Sequence, residues 1–170
     1  AVSLKNMTGL LGAATYVEGV MKAASAGLFS MLPAIIFIVA CLLAFATGTS
    51  WGTFGILIPI VLPIFKVGDP LLMIGISACL AGAVCGDHCS PISDTTIMAS
   101  AGANCNHIEH VQTQLPYAVT VALISFVNFI IAGFVKNAWI CLPIGIVMTI
   151  VVLFILRATI GKRTSVAAEK

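Results

Sequence analysis

The chain has 170 residues, of which 60% are hydrophobic and 8% are charged, whereas soluble domains contain about 25% charged residues. This composition excludes an ordinary soluble domain and predicts an all-α integral membrane protein, a polytopic helical bundle. The formal net charge of +2, without a basic stripe interleaved with aromatic residues, argues against nucleic acid as a partner.

Apolar stretches in chain order define the predicted membrane spans. Residues 1–25 are mixed in composition and are interpreted as a connector. Residues 28–46 are long enough to cross a hydrocarbon core, which requires about 20 residues. The remaining segments are a partial span at 54–65, an interrupted span at 70–103, a polar loop at 104–115, spans at 116–135 and 138–156, and a polar, basic tail at 157–170.

A polar, glycine-containing segment follows the first span. Glycine and hydroxyl residues weaken a helix, so we predict a helix break here, and the apolar stretch after it is too short to cross alone. The segment consists of Thr47, Gly48, Thr49, Ser50, Trp51, Gly52 and Thr53.

Two topologies remain open for residues 28–65. The distribution of basic residues favours a single crossing, with the C-terminal tail in the cytoplasm. A straight helix over this range would measure about 57 Å at 1.5 Å per residue, against a hydrocarbon core of about 30 Å. The length therefore favours a re-entrant hairpin, and the sidedness of the broken helices is not determined by the sequence.

The second interruption, residues 86–96, places Asp87, His88 and Asp94 beside Pro91 within apolar surroundings. Two ionised aspartates facing lipid would cost about 5 to 7 kcal/mol together. They are therefore expected to face protein, water, an ion or a proton, and ionisable residues inside a membrane are by default functional-site candidates. With Gly48, Gly52 and Gly86, Pro91 completes the predicted set of helix-breaking residues.

The interruptions predict a site at which broken helices meet, the usual arrangement in secondary transporters. Pro91 has no N–H, so a helix through it would leave the Asp87 carbonyl without its partner, and that carbonyl becomes a candidate ligand. Carboxylate, hydroxyl and carbonyl oxygens suit a hard cation. The predicted cation or substrate ligands are Thr47, Thr49, Ser50, Asp87, Ser90, Ser93, Asp94, Thr95 and Thr96.

Proton coupling is predicted at the same place. Burial disfavours an ionised carboxylate, whereas a bound cation favours it, so a proton and a cation would compete. We assign this role to Asp87 and Asp94, with transient Na⁺ binding at both, and to His88 as a residue able to share the proton.

Some of these residues and their neighbours also have simpler interpretations. Asp94 has the residue type of a helix N-cap. Cys85, His88 and Cys89 lack the usual paired spacing of structural zinc sites. His107 and His110 are interpreted as part of a solvated loop, with a pH-sensing role as the alternative.

Three motifs resemble the NhaC-type Na⁺/H⁺ antiporter family, a group of ion transporters with inverted repeats. They are ATGTSWGT at 46–53, GDHCSPISDTT at 86–96 and HVQTQLPY at 110–117. The resemblance implies a multi-pass protein of the cell membrane that exchanges a cation or a small carboxylate for protons. It also implies a longer transporter, in which residues 1–170 form the C-terminal part of a single transmembrane domain.

The leading hypothesis is a proton-coupled antiporter exchanging Na⁺ or a similar monovalent cation for H⁺, with no cofactor and no enzymatic activity. The alternative on the same fold is a proton- or sodium-coupled exchanger of a small carboxylate or amino acid; the absence of arginine before Arg157 mildly favours a cation. A weaker alternative is a membrane-embedded, metal-dependent hydrolase. The expected partners are the transported Na⁺ and H⁺, the lipid bilayer, the remaining N-terminal part of the transporter and, as an open question, a second copy of the protein.

Overall fold

The structure is a computed structural model that describes residues 2–12, 15–16, 19, 26–65 and 68–168. Within these ranges the regular elements are all helical, which confirms the predicted all-α class. They are α1 (Val2–Leu10), α2 (Ala26–Thr47), α3 (Ser50–Val61), a 3-10 turn (Leu62–Ile64), α4 (Pro70–Cys89), α5 (Asp94–Gly102), α6 (His107–Val135) and α7 (Ala138–Ala168).

Four helical segments are long and apolar enough to cross a membrane: Phe29–Thr47, Pro70–Cys89, His107–Val135 and Ala138–Ala158. They confirm the prediction of a polytopic membrane protein. The apolar helix Ser50–Ile64 is shorter. That two membrane crossings are interrupted stays a prediction, because helix ends by themselves do not locate a bilayer.

The first break is narrower than the sequence predicted. Helix α2 ends at Thr47, and Gly48 has φ +65°, in the left-handed region that favours glycine. Thr49 is extended and caps α3, its Oγ1 accepting a hydrogen bond from the Gly52 N–H at 3.3 Å. Within the predicted segment 47–53, only Gly48 and Thr49 are non-helical, because the Thr49 cap allows α3 to begin at Ser50.

The second break is also narrower. Of the interruption predicted at residues 86–96, both ends are helical, because α4 continues through Cys89 and α5 begins at Asp94. Proline has no backbone N–H, and it disfavours helical backbone at the residue before it. Ser90, which precedes Pro91, is accordingly extended with φ −75° and ψ 130°. The break is therefore Ser90–Ser93.

The predicted polar loop at 104–115 is wrong over most of its length. Helix α6 begins at His107, where the Asn106 side chain accepts a hydrogen bond from the Ile108 N–H at 2.9 Å. At 1.5 Å per residue its 29 residues span about 43 Å, more than the hydrocarbon core of about 30 Å. The polar sequence is thus the first turns of a helix longer than that core.

The two chain ends are partly described. Residues 2–10 of the predicted connector form α1, while residues 1, 13–14, 17–18 and 20–25 lie outside the described residues. The predicted polar tail is helical in its backbone to Ala168, and residues 169–170 lie outside. Lys22 and Lys66, two of the basic residues whose distribution bears on the sidedness of the helices, also lie outside the described residues.

Helix α4 lies at the centre of the fold, packed against α2, α3 and α6, while α7 packs against α6. Small residues allow α2 and α4 to approach closely, as is common between membrane helices. A Cβ at Gly82 would meet the Phe37 carbonyl, and one at Gly86 would meet the Cys41 carbonyl. Because of this close crossing, the C-terminal end of α4 lies beside the C-terminal end of α2.

Candidate functional site

The two breaks contact each other, and we call Gly48–Thr49 together with Ser90–Ser93 the junction. The Ser90 hydroxyl donates to the Phe45 carbonyl at 2.8 Å. A Cβ at Gly48 would lie 2.8 Å from the Ile92 Cγ1 and 2.9 Å from its carbonyl oxygen. The predicted approach of the two segments is therefore observed.

Two of the carbonyl groups at the end of α4 accept hydrogen bonds from outside the helix. The last four carbonyls of any helix lack intrahelical partners. The Asp87 carbonyl accepts from the Ser90 N–H at 3.0 Å, so the expectation that it lacks a partner is wrong, because a tight turn supplies the donor that Pro91 lacks. Its role as a cation ligand stays a prediction, since a carbonyl oxygen has a second lone pair. The His88 carbonyl accepts from Gln114 Nε2 at 2.9 Å and from Thr96 Oγ1 at 3.5 Å.

Asp87 is the buried carboxylate of the site. Its side chain, in the last turns of α4, is 7% exposed, and its Oδ1 has no hydrogen-bond partner among the described residues. An ionised carboxylate buried without a partner is strongly unfavourable. This oxygen therefore requires a proton, a cation or a donor beyond the described residues.

Asp94 and His88 lie in different surroundings from Asp87. Asp94 is exposed at the first position of α5, and its Oδ1 accepts from the Thr95 N–H at 2.8 Å. A carboxylate in the first helical turn is stabilised by the helix dipole. The two aspartates, expected together in apolar surroundings, thus differ in burial, and the His88 side chain is also exposed.

The hydroxyls of the first break form a connected group. Thr53, 2% exposed, donates to the Thr49 carbonyl at 2.8 Å and lies 3.2 Å from the Thr47 Oγ1. Thr47 itself donates to the Leu43 carbonyl at 2.8 Å. Ser50 is half-buried at the start of α3. Of the predicted ligands, Thr49 belongs to the junction while Thr47 and Ser50 flank it, and the Thr47 and Thr49 side chains also bond to backbone.

The hydroxyls of the second break divide between buried and exposed positions. Ser90, Ser93 and Thr96 are buried, whereas Thr95 is exposed. The Ser93 and Thr95 hydroxyls lie 2.7 Å apart and hydrogen-bond to each other. The buried members of the predicted ligand set thus flank the end of α4 that carries Asp87.

Two of the four predicted helix-breaking residues do not break a helix. Gly48 and Pro91 lie in the breaks, but Gly52 is in α3 and Gly86 is in α4. Glycine is tolerated inside a helix at a modest cost. The Cys41 carbonyl occupies the space that a Cβ at Gly86 would need, which explains glycine at that position.

Sequence reasoning missed the contribution of α6. Gln114 bonds to the His88 carbonyl, and His107 Nε2 lies 2.7 Å from the Pro91 carbonyl oxygen. A spacing of seven residues places both side chains on one helix face. This spacing is visible in the sequence, but it has a structural meaning only in a helix, and the segment was interpreted as a loop.

A groove of about 740 Å³ opens beside the end of α4, between α2, α4 and α6. Its walls are mostly apolar, and they include the polar side chains of His88, Gln114, Tyr117 and Ser125. Among the described residues, no group of three or more His, Cys, Asp or Glu side chains is arranged to hold a metal ion.

Comparison with known proteins identifies relatives among bacterial and archaeal proteins. The chain is 52% identical over 124 residues to an uncharacterized protein of Haemophilus influenzae, covering 72% of this chain and 24% of that protein. It is 35% identical over 98 residues to the malate-2H⁺/Na⁺-lactate antiporter of Bacillus subtilis, covering 57% of this chain and 21% of that protein.

A third relative is the arginine/ornithine antiporter of Halobacterium salinarum, 35% identical over 112 residues, which cover 63% of this chain and 23% of that protein. The chain thus spans about a quarter of the length of the curated relatives it matches. No solved structure matches it.

The family assignment rests on most of the chain. Residues 1–134 match the sequence family described as the Na⁺/H⁺ antiporter family, which confirms the resemblance seen in the three motifs. The family is one of transporters rather than enzymes, and with its spanning-length helices the chain is a multi-pass membrane protein. The chain belongs to the Na⁺/H⁺ antiporter family.

Proposed function

We propose that the chain is part of a proton-coupled antiporter of the cell membrane that exchanges Na⁺, or a similar monovalent cation, for H⁺. One observation carries this proposal: Asp87 is buried beside two contacting helix breaks, and its Oδ1 has no hydrogen-bond partner among the described residues. A carboxylate in this position is stabilised by a proton or by a cation, and not by both at once.

The proposed exchange follows from that competition. Binding of Na⁺ to Asp87 displaces the proton, and protonation from the opposite side of the membrane releases Na⁺. The buried hydroxyls of Ser90, Ser93 and Thr96 are proposed to complete the oxygen ligands, which suit a hard cation. Asp94, exposed at the first position of α5, is proposed as the second carboxylate.

The test of the proposal replaces Asp87 in the complete transporter. Asp87→Asn keeps the side-chain shape and removes the titratable charge, so we expect Na⁺-dependent proton flux in proteoliposomes to fall to the level of empty vesicles. Asp69→Asn is the matched control, since Asp69 caps α4 with its Oδ1 on the Leu71 N–H and asparagine caps equally well.

Exchange at the wild-type rate by Asp87→Asn would disprove the proposal, provided that both variants insert to equal amounts. Asp94→Asn tests the second carboxylate in the same vesicles. We expect loss of exchange there as well. Full activity would show that Asp94 has no role in transport and is only a first-turn residue stabilised by the helix dipole.

A second candidate function is exchange of a small carboxylate or amino acid. The observation in its favour is the groove of about 740 Å³ next to His88, which is far larger than a bare ion requires, since one water molecule occupies about 30 Å³. The named relatives include a malate/lactate antiporter and an arginine/ornithine antiporter.

Substrate competition separates the two candidates. Proton flux in vesicles is measured with Na⁺, Li⁺ or K⁺ alone and then with malate, lactate, arginine or ornithine added on either side. Exchange supported by the cations alone identifies the cation antiporter. Exchange that requires an organic substrate identifies the second candidate.

We also propose that residues 1–170 form the C-terminal part of a single transporter domain. The relatives, which are about four times as long as the aligned regions, support this. The remaining N-terminal part is then a partner in the site, and a second copy of the protein is a further candidate partner.

A further inference from the structure

The side chain of His107 contacts two separate segments of the chain. It is half-buried at the first position of α6. Its Nε2 lies 2.7 Å from the Pro91 carbonyl oxygen, and its Nδ1 lies 3.0 Å from the Ser100 hydroxyl. Pro91 belongs to the junction, whereas Ser100, 3% exposed, belongs to α5.

The positions of the protons follow from the partners. A carbonyl oxygen only accepts, so Nε2 must carry hydrogen and donate to Pro91. The Ser100 hydroxyl lies 2.9 Å from the Ile97 carbonyl as well as near Nδ1, and it can donate to either. In both arrangements the bond from Nε2 to Pro91 is kept.

This bond satisfies a backbone group in a non-helical segment. Backbone polar groups at membrane depth must find partners within the protein. The Ser90–Ser93 segment is thereby held from two sides, because Ser90 bonds to the Phe45 carbonyl on α2 while His107 bonds to the Pro91 carbonyl. Asp87 lies one turn before this segment on α4.

We propose that His107 is a positioning residue for exchange: its Nε2–H holds the Pro91 carbonyl and thereby fixes the Ser90–Ser93 segment next to Asp87. This inference rests on the proposed function, in which Asp87 and the hydroxyls of this segment bind the transported cation. His107 does not contact the ion in this proposal. It keeps the ligand hydroxyls in a geometry that binds it.

Two amide substitutions separate the contacts of the two ring nitrogens. The amide nitrogen of glutamine can reach the position of Nε2, whereas that of asparagine can reach only the position of Nδ1. In the complete transporter we therefore expect His107→Gln to keep a KM for Na⁺ near the wild-type value. His107→Asn should raise this KM about tenfold, as expected for loss of one positioning hydrogen bond, while Ser100→Ala should change it little.

His110 provides the matched control, one turn further along α6. His110→Gln and His110→Asn should have equal KM values, because His110 is not assigned a bond to the junction. Equal KM values for His107→Gln and His107→Asn would overturn the proposal, as would a wild-type KM in His107→Asn.

Hydrogen exchange tests the same bond without transport. In the complete protein in nanodiscs, backbone amides at residues 92–97 should exchange faster in His107→Asn than in wild type, and at the wild-type rate in His107→Gln. Unchanged exchange in His107→Asn would overturn the proposal even if Na⁺ transport is intact. If hydrogen exchange responds as expected but the wild-type protein transports no cation, the proposed function is wrong, whereas the positioning of the Ser90–Ser93 segment by His107 is supported.

Discussion

Ser90 provides two of the hydrogen bonds that hold the junction together. Its hydroxyl donates to the Phe45 carbonyl at 2.8 Å, and its Oγ accepts from the Ile92 N–H at 3.4 Å. Phe45 lies in the last turn of α2, where carbonyls lack intrahelical donors. At the residue scale, one fully buried hydroxyl thus links the end of one helix to the turn after another.

Ser90→Ala should destabilise the complete transporter by about 0.5 to 1.5 kcal/mol, because it removes the hydrogen bond that the fully buried Ser90 hydroxyl donates to the Phe45 carbonyl. The melting temperature of the purified protein measures this. Ser77→Ala is the control: the exposed Ser77 hydroxyl bonds to the Met73 carbonyl of its own helix, and its loss should change stability by less than about 0.5 kcal/mol. Equal melting temperatures for the two variants would contradict the role given to Ser90.

At the scale of elements, the contact between α2 and α4 brings the two breaks together. The contact contains fully buried small residues, including Ala40, Ala44, Ala78 and Ala83. Gly82 and Gly86 face carbonyl groups of α2. Because the helix axes approach closely here, the end of α2 lies against the turn that follows α4.

Gly86→Ala should therefore displace α2 from α4, since its Cβ would meet the Cys41 carbonyl and the Phe45 nitrogen. Overpacking of this kind costs about 1 to 3 kcal/mol, so we expect a lower melting temperature together with weaker exchange. The matched control is Gly55→Ala in α3, where a Cβ meets nothing within 4 Å and alanine favours the helix by about 1 kcal/mol. Stability of Gly86→Ala at or above that of Gly55→Ala would rule out the close crossing.

At the scale of the whole molecule, the described residues leave one side of the fold uncovered. Large apolar side chains are exposed along α7, among them Leu142, Ile146, Leu153 and Phe154. A membrane helix can place such residues against lipid or against other helices. The greater length of the relatives supports the proposal that further helices of the transporter cover part of this surface.

The proposed competition between Na⁺ and H⁺ at Asp87 predicts a pH dependence for the complete transporter. Lowering the pH protonates the site, so the apparent affinity for Na⁺ should fall tenfold per pH unit for each proton displaced, and it should reach a plateau at high pH. By linkage, Na⁺ must weaken proton binding by the same factor. Isothermal titration of Na⁺ at several pH values between about 5 and 9 measures both effects.

Two variants in this experiment test which side chain, Asp87 or His88, binds the proton that competes with Na⁺. His88→Gln should keep the pH dependence, because the exposed imidazole is not required if Asp87 carries the proton. Asp87→Asn should abolish Na⁺ binding at every pH. A Na⁺ affinity that does not change with pH in the wild-type protein would exclude direct competition.

The sequence by itself determined the class of the protein and the two segments in which helices end, although not the extent of either break. The high apolar fraction requires a membrane environment, and the apolar stretches are long enough to cross it. Gly48 and Pro91 act through their own backbone chemistry, a permitted positive φ and a missing N–H. Such effects are local, so they can be read without knowing the fold.

Only the tertiary structure decided how the freed backbone groups are satisfied and which carboxylate is buried. Ser90 bonds to a carbonyl 45 residues away, and Gln114 bonds to one 26 residues away. Local residue patterns do not specify such pairs, because they arise from the packing of separate helices. For the same reason Asp87 is buried against neighbouring helices while Asp94, seven residues later, is exposed.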